Sequence, residues 1–214
     1  LNSQKVDDLV VKKLGIRCSK PNLKDWRKVV KADLNPKNTV NIAMVGKYTD
    51  LLDAYKSLNE ALKHGGLQNN IKVDINYVDS EKLNTRNTKS KLKNSDAILV
   101  PGGFGERGIE GMINAVRYAR LNKIPYLGIC LGLQIAVIEF SRNVLNFKDA
   151  NSTEFDSETS YPVIGLIHEW MDSSGIIEKR DENSNLGGTM RLGAQECHLS
   201  SNSLTRSLYR KKVI

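Results

Sequence analysis

A single cysteine stands between two glycines where a short apolar run gives way to helical spacing. In IPYLGICLGLQIAVIEF (residues 124–140), Cys130 lies between Gly128 and Gly132 in a Gly-x-Cys-x-Gly pattern. This is the cysteine form of the nucleophile elbow, a sharp turn from strand to helix. The residues two before and two after the nucleophile pass close together there, so they should lack side chains. The pattern predicts a nucleophilic Cys130 at a helix N-terminus, where the helix dipole favours thiolate.

A glycine-rich loop is the second feature typical of acyl-transfer chemistry. LVPGGFGERG (residues 99–108) follows an apolar run, one strand–helix unit before Cys130. Adjacent glycines let backbone amides approach a ligand closely, so we expect Gly103 to donate one oxyanion hydrogen bond and Leu131 the other. The alternatives here are a tight glycine turn into the helix that starts at Gly108, or a phosphate-binding loop, although no Gly-Lys-Ser/Thr follows. For Cys130 the alternative is a buried structural cysteine.

Strand-like and helix-like segments alternate between residues 39 and 140. This order predicts an α/β fold, in which a doubly wound, mostly parallel sheet carries helices on both faces. Ligands of such sheets bind at the carboxyl ends of the strands, where the glycine-rich loop and Cys130 both fall. The strand segments are TVNIAMVG, IKVDINYVD, DAILVPGG and IPYLGIC, and the helical segments are DLLDAYKSLNEALKHGG, GIEGMINAVRYAR and LGLQIAVIEF.

Each of the three helical segments has an apolar stripe that we expect to face the sheet. In the first helix, Asp50 is the predicted N-cap and Gly65 the predicted C-cap. The three stripes are Leu51, Tyr55, Leu58 and Leu62; Ile109, Met112, Val116 and Ala119; and Leu133, Ala136, Val137 and Phe140.

The two ends of the chain differ from this α/β rhythm. Residues 1–38 contain two short amphipathic segments, VDDLVVKKLGI and NLKDWRKVV, which predict a helical arm that ends near Pro36. We assign residues 39–214 to a second, main domain. YPVIGLIHEW, GIIEKRDE and AQECHLS predict strands added antiparallel at the sheet edge. Because the chain begins with leucine and ends without a turn signal, we expect both ends to be cut from a longer protein.

Composition argues against several classes of protein. The net charge is +8, but basic residues are interspersed with acids and aromatics make up only 6%, which disfavours nucleic-acid binding. The three cysteines, Cys18, Cys130 and Cys197, are far apart, and no C-x-x-C or signal peptide occurs. No apolar run approaches the roughly 20 residues that cross a bilayer. We therefore expect a cytoplasmic protein with no disulfide, metal site or membrane contact.

PGGFGERGIEGMI and PYLGICLGLQ together resemble the class I, triad-type glutamine amidotransferases. VGKYTDLLDAYKSLNEALKHGG, NSTEF and LGGTMRLGAQ narrow the resemblance to the C-terminal glutaminase domain of the CTP synthase family. The similarity covers nearly the whole chain, and residues 1–38 resemble the linker from a synthetase domain. The resemblance implies that Cys130 attacks the side-chain amide of L-glutamine, forms a glutamyl thioester and releases ammonia. The synthetase domain would use that ammonia with ATP and Mg²⁺ to convert UTP to CTP, in pyrimidine biosynthesis.

The resemblance also implies roles for individual residues. Gly103 and Leu131 correspond to the oxyanion hole, and the carboxylate of Glu154 suits the ammonium group of the substrate. Phe104 and Arg107 correspond to a lid associated with GTP as an allosteric activator, and the parent enzyme is expected to be a homotetramer. The implied glutamine-binding residues are Gly103, Leu131, Gly132, Leu133, Gln134 and Glu154.

The sequence departs from the family in one respect. The family takes its triad histidine and glutamate from an F-H-P-E-F segment and a glutamine-binding arginine from H-R-H-R-Y-E, and neither occurs here. His64 is expected at a helix end, His168 on the opposite strand face from Glu169, and His198 in an edge strand, so none suits the base. We therefore expect little glutaminase turnover from these residues alone. Another cysteine hydrolase or chaperone-like α/β protein with the same elbow, and a non-catalytic scaffold that binds nucleotide or partner subunits, remain as alternatives.

Overall fold

The central sheet of the computed structural model contains four parallel strands. They are β1 (Asn38–Gly46), β2 (Ile71–Asp79), β3 (Ala97–Val100) and β4 (Tyr126–Gly128), arranged in the order β2-β1-β3-β4. The structure describes residues 2–49, 51–165, 169–171, 177–179 and 196–214. Contacts divide the chain into two compact units, Leu1–Leu166 and Ile167–Ile214. The sheet belongs to the first unit.

Six α-helices belong to the described part of the first unit. They are α1 (Val6–Leu14), α2 (Lys24–Leu34), α3 (Lys56–Asn69), α4 (Thr88–Leu92), α5 (Ile109–Asn122) and α6 (Leu131–Asn143). Short 3₁₀ helices cover Asn2–Gln4, Leu52–Tyr55 and Ser80–Lys82. α3 lies between β1 and β2, α5 lies between β3 and β4, and α6 directly follows β4, as the alternating sequence predicts.

Side chains of the central strands alternate between two packed layers. Ala43 and Val45 of β1 belong to a buried cluster with residues of α4, α5 and α6, whereas Met44 of β1 and Leu99 of β3 contact Tyr55 on the other face. Successive side chains of a strand point to opposite faces, so helices cover both faces of this sheet. The predicted α/β architecture, with a mostly parallel sheet between helical layers, is confirmed.

The predicted stripes of α5 and α3 agree well with the buried residues. All four residues predicted for α5 are buried, and in the α3 segment Tyr55 is buried while Leu58 and Leu62 pack against its cluster. Leu51 is exposed, so its assignment to the α3 stripe is wrong. It precedes the 3₁₀ turn and therefore does not follow the helical repeat. The predicted N-cap Asp50 lies outside the described residues.

The stripe predicted for α6 is wrong. Leu133 is 61% exposed, and Val137 and Phe140 are also exposed, whereas Ala136 packs against the core from a half-buried position. The buried face instead carries Leu131, Ile135, Ile138 and Glu139. Because α6 is apolar around most of its circumference, residue spacing does not show which side faces the sheet.

The helix α3 continues past its predicted end at Gly65. It ends at Asn69, and Asn70 adopts φ 55° as the cap, donating its N–H to the carbonyl groups of Gly66 and Leu67. A residue with a left-handed conformation commonly ends a helix, and asparagine tolerates it. The two glycines therefore lie inside the helix. A methyl group on Gly66 would lie 2.6 Å from the carbonyl oxygen of Ile71, while one on Gly65 would meet nothing within 4 Å.

Replacing each of these two adjacent glycines with alanine should change the free energy of unfolding in opposite directions. Gly65→Ala should raise the free energy of unfolding by about 0.5–1 kcal/mol, because alanine loses less backbone entropy in a helix. Gly66→Ala should lower it by about 1–3 kcal/mol, since the new methyl group would push α3 away from β2. Urea denaturation of both variants checks this. Equal shifts for the two would show that α3 does not approach β2 as closely as described.

The amino-terminal segment forms the two predicted helices, α1 and α2. No residue of α1 is buried, and in α2 only Ala32 is fully buried. The amphipathic pattern of NLKDWRKVV predicts one stripe of Leu23, Trp26, Val29 and Val30, but Trp26 and Val30 are exposed, whereas Leu23 and Val29 are half-buried. α2 contacts α3. The domain boundary at residue 38 stays a prediction.

The later strands do not extend the central sheet as predicted. β5 (Ala150–Ser152) and β6 (Tyr161–Ile164) form a separate parallel pair, so the antiparallel edge addition expected from Tyr161 onward is wrong for β6. In the second unit, β7 (Glu169–Met171) and β8 (Ile177–Lys179) pair antiparallel with each other, and α7 covers Leu204–Tyr209. Of AQECHLS, the described residues contain only an isolated bridge from His198 to Val213. Short pairings of this kind leave no clear alternation for sequence reasoning to detect.

No helix among the described residues is both long and apolar enough to cross a membrane.

Candidate active site

Cys130 occupies the sharp turn between β4 and α6. It is the residue immediately before the helix, with φ 54° and ψ −108°, and its side chain is exposed. Positive φ is disfavoured for any residue with a side chain, and such strain is concentrated at functional sites. The elbow predicted from Gly-x-Cys-x-Gly is therefore present, and the alternative of a buried structural cysteine is wrong.

The glycines that flank Cys130 bring three elements into backbone contact. A methyl group on Gly128 would lie 2.5 Å from the carbonyl group of Gly132, and one on Gly132 would lie 2.1 Å from the carbonyl oxygen of Val100. Tyr126 reinforces the turn by donating its hydroxyl hydrogen to the Gly132 carbonyl at 2.7 Å. Burial raises the pKa of Tyr126, so its phenol keeps its proton and remains a donor in alkaline solution as well. Sequence reasoning missed this tyrosine.

The first turn of α6 leaves backbone amides available beside the thiol. The carbonyl of Ile129 accepts from Gly132 N–H, and that of Cys130 accepts from the amides of Leu133 and Gln134. Within the described ranges, the Leu131 N–H and the Gly103 N–H donate no backbone hydrogen bond. Amides at the start of a helix lack intrahelical acceptors and can bind an anion.

The glycine-rich loop after β3 lies next to the elbow. A methyl group on Gly102 would lie 3.5 Å from Cβ and 4.0 Å from Sγ of Cys130, and one on Gly103 would lie 3.2 Å from Cδ2 of Leu131. The structure thus brings the two predicted oxyanion residues together beside the predicted nucleophile. Adjacent parallel strands end at the same sheet edge, which explains this proximity.

Glu154 contacts the same loop from another direction. It lies in the turn after β5, and its Oε1 accepts a hydrogen bond from Gly105 N–H at 2.7 Å. Arg142 of α6 fixes the start of this segment, because its Nε donates to the carbonyl of Ala150 at 2.6 Å. The proposed contact between Glu154 and a substrate ammonium group stays a prediction.

The remaining residues predicted for the site lie around these contacts. On α6, Leu133 is exposed and Gln134 half-buried. Phe104 of the predicted lid is exposed. Arg107 donates to Glu81 Oε1 at 2.7 Å, and its guanidinium carbon lies 5.8 Å from the ring centre of Tyr48. These contacts anchor the end of the lid but do not test its predicted link to GTP.

Sequence reasoning also missed a buried lysine at the carboxyl end of β1. Lys47 is only 6% exposed, and its Nζ donates to the carbonyl oxygens of Phe104, at 2.8 Å, and of Gly105. Burial lowers the pKa of Lys47, and the nearby Glu154 carboxylate partly offsets that effect. The only sequence signal was a lysine placed directly after an apolar strand.

His64 is the histidine among the described residues of the unit that contains Cys130, and its described contact is with Glu60. His64 is exposed on α3, within 4.0 Å of Glu60, and the helix extends well past it to Asn69, so the helix end predicted there is wrong. His198 lies in the second unit near Glu196, at 3.7 Å. His168 lies outside the described residues. In the parts of the chain that the structure describes, no cluster of three or more His, Cys, Asp or Glu side chains could hold a metal ion.

Comparisons with known proteins agree with this arrangement. The family model described as glutamine amidotransferase class-I matches residues 50–212. Among solved structures, the chain is similar to the CTPS glutaminase domain of Trypanosoma brucei with bound acivicin, with 38% sequence identity and a TM-score of 0.69. That match covers 81% of this chain and 64% of the trypanosomal chain. The resemblance inferred from the sequence is confirmed, and the chain belongs to the class-I glutamine amidotransferase family.

Proposed function

We propose that this chain is a glutaminase domain, in which Cys130 attacks the side-chain amide of L-glutamine. The observation that carries the proposal is the exposed thiol of Cys130 at a strained elbow, with Gly102 and Gly103 of a second loop beside it. Membership of the amidotransferase family and the similarity to a glutaminase domain with bound acivicin support glutamine as the substrate class.

The chemistry proceeds through two acyl-transfer steps. The thiolate sulfur forms a bond to the amide carbon, and the resulting oxyanion accepts hydrogen bonds from the amides of Gly103 and Leu131. The tetrahedral species then expels its nitrogen, which takes a proton and leaves as ammonia, giving a glutamyl thioester. Water attacks the thioester in the second step and releases glutamate and the free thiol.

Substrate orientation would come from the loops around the thiol. Glu154 accepts a hydrogen bond from Gly105 of the glycine-rich loop, and its carboxylate suits the α-ammonium group of glutamine. Gly132, Leu133 and Gln134 lie on the first turn of α6, directly after the nucleophile, where they can line the substrate. Their binding roles follow from the family resemblance.

Among the described residues of the first unit, no histidine is found as a general base beside the thiol, since the described contact of His64 is with Glu60. We propose that these 214 residues alone turn over glutamine slowly, because a cysteine nucleophile normally depends on an adjacent base. The reactivity of Cys130 toward an electrophilic glutamine analogue does not require the full catalytic cycle. It is therefore the more direct test.

The wider role that we propose is the supply of ammonia for CTP synthesis. The ammonia would pass to a synthetase domain that uses ATP and Mg²⁺ to aminate UTP, with GTP acting on the lid around Phe104 and Arg107, and the whole enzyme would be a homotetramer. This part of the proposal rests on the similarity to the CTPS glutaminase domain.

Selective alkylation tests the assignment of Cys130. Acivicin reacts by losing chloride to a thiolate, and its amino-acid portion resembles glutamine. We expect a single adduct at Cys130, forming at least about 10-fold faster than at Cys18 or Cys197, because the proposed amino-acid site lies beside Cys130. Intact and peptide mass spectrometry measure the rates, and excess L-glutamine should slow the reaction.

The chain provides its own controls, because Cys18, Cys130 and Cys197 are all exposed. Iodoacetamide should label all three, and Cys130→Ser should abolish the acivicin adduct while keeping the iodoacetamide adducts of Cys18 and Cys197. Acivicin labelling that does not distinguish the three thiols would overturn the proposal and favour a non-catalytic scaffold. Selective Cys130 labelling by acivicin that L-glutamine does not slow would instead favour another cysteine hydrolase.

A further inference from the structure

Lys47 lies where the order of the sheet changes direction. β1 pairs with β2 on one side and with β3 on the other, and ligands of such sheets bind outside the carboxyl ends of strands at this point. Lys47 directly follows β1 and is almost completely buried. Burying an ammonium group is costly unless it is well hydrogen-bonded, so a specific role is expected for it.

The hydrogen bonds of Lys47 go to backbone oxygen atoms. Its Nζ donates to the carbonyls of Phe104 and Gly105, and among the described residues it makes no ion pair within 4.0 Å of a carboxylate. A cation that only stabilised the fold would be expected to pair with an anion. Here both acceptors belong to the loop that follows β3 and borders Cys130.

The peptide group between Phe104 and Gly105 is bound at both ends. Its carbonyl accepts from Lys47 at 2.8 Å, and its N–H donates to Glu154 Oε1 at 2.7 Å. The carbonyl and N–H of a trans peptide point in opposite directions, so the cation and the anion bind opposite ends of one dipole. Charge-assisted hydrogen bonds are the stronger kind, and two of them restrict the rotation of this peptide.

The same loop needs such a restraint because three of the four residues from Gly102 to Gly105 are glycines. Gly102 and Gly103 lie beside Cys130 and Leu131, and Gly105 has φ 73°. Glycine loses more conformational freedom on ordering than any other residue. Without Lys47, the amide of Gly103 would sample several directions instead of one.

We propose that Lys47 is a positioning residue for the glutaminase reaction, which holds the Phe104–Gly105 peptide so that the neighbouring Gly103 amide stays directed at the thiol of Cys130. The inference rests on the proposed function. Lys47 does not hold the thiol itself, since the elbow depends on the contacts of Gly128 and Gly132. Loss of Lys47 should therefore impair stabilisation of the oxyanion without changing the solvent accessibility of the Cys130 sulfur.

The test compares two reagents on the same thiol. Acivicin requires the substrate site, whereas iodoacetamide requires only an accessible thiolate. In Lys47→Met, which keeps an unbranched side chain one atom shorter and removes the charge, the ratio of the acivicin rate to the iodoacetamide rate at Cys130 should fall by about 10-fold or more. The iodoacetamide rate should stay within about two-fold, because the elbow is unchanged.

Lys91→Met is the matched control, since Lys91 is an exposed lysine of α4 and its loss changes the net charge equally. Its rate ratio should equal that of the unmodified chain.

If Lys47→Met does not fold, Lys47→Gln keeps a hydrogen-bond donor in the buried position and should still lower the ratio. A folded Lys47 variant with an unchanged ratio would overturn the positioning role alone. Failure of the unmodified chain to react selectively with acivicin would overturn both this inference and the proposed function.

Raising the pH provides an independent readout of the same charge. Burial lowers the pKa of Lys47, Glu154 raises it, Arg107 lowers it and Glu81 raises it, with a net decrease from 10.5. The rate ratio should therefore fall as pH rises through this lowered pKa. The unfolded chain keeps the Lys47 proton up to 10.5, so the contribution of Lys47 to the free energy of unfolding should rise over the same window. The effect of pH on acivicin itself is the same for both chains. The Lys47→Met chain should therefore lack the extra fall in the ratio of the acivicin rate to the iodoacetamide rate.

Discussion

A Gly132→Ala variant should lose both stability and selective reaction with acivicin. Alanine normally favours a helix over glycine by about 1 kcal/mol, but here the new methyl group would lie 2.1 Å from the carbonyl oxygen of Val100. That contact is with backbone, so no side-chain rotation relieves it, and α6 would have to move away from β3. We expect the free energy of unfolding to fall by about 3 kcal/mol, at the upper end for inserted groups. Urea denaturation measures that loss.

The chemical consequence of Gly132→Ala should be separable from its effect on stability. Displacing α6 would shift the amide of Leu131 and the sulfur of Cys130 relative to the Gly103 loop. The preference of acivicin for Cys130 over the other two thiols should therefore fall, even without denaturant, where the chain is still folded. Gly65→Ala is the control, because it makes the same change in another helix where nothing lies within 4 Å. A fully stable Gly132→Ala chain would mean that the elbow is more open in solution than described.

The second large effect should come from Arg120, which pairs with a buried carboxylate. Glu139 is only 1% exposed, and Arg120 donates to it from Nε at 3.0 Å and from Nη2 at 2.7 Å. Replacing Arg120 with methionine removes the cation and leaves the anion buried without its partner. We expect Arg120→Met to lower the free energy of unfolding by about 3–5 kcal/mol, as measured by denaturant titration.

A double variant distinguishes an unpaired charge from a simple loss of packing. Arg120→Met combined with Glu139→Met replaces the pair with apolar side chains, and such replacements are often close to neutral. The double variant should therefore recover most of the loss seen in Arg120→Met alone. If the two variants are equally unstable, the aliphatic part of Arg120, rather than its charge, stabilises the contact between α5 and α6.

The periodicity of the sequence predicted the sheet and one helix well, for physical reasons. β1 and β3 contain apolar runs, β2 alternates apolar and polar residues, and α5 has a single apolar stripe that becomes its buried face. α6 has no such single stripe. Glu139 occupies its buried face because Arg120 compensates its charge, and a pairing between residues far apart in sequence is not visible in local spacing.

The candidate site was predictable only where chemistry constrains the backbone. Cys130 could be identified because its elbow requires glycine at Gly128 and Gly132, and these glycines do meet neighbouring backbone. Lys47 could not be identified in the same way. A single lysine after a strand usually lies at the surface, and its burial depends on the loop that folds over it from β3.

The hydrogen bonds that organise this site join distant parts of the chain. Lys47 and Phe104 are 57 residues apart, and Gly105 and Glu154 are 49 apart. Parallel strands require a crossover before they can pair, so these contacts form only after the intervening helices have packed. A nascent or partly folded chain therefore carries an ordinary thiol at Cys130. The reactivity that we propose for Cys130 would be acquired only at the end of folding, so incomplete chains would be protected from premature covalent chemistry.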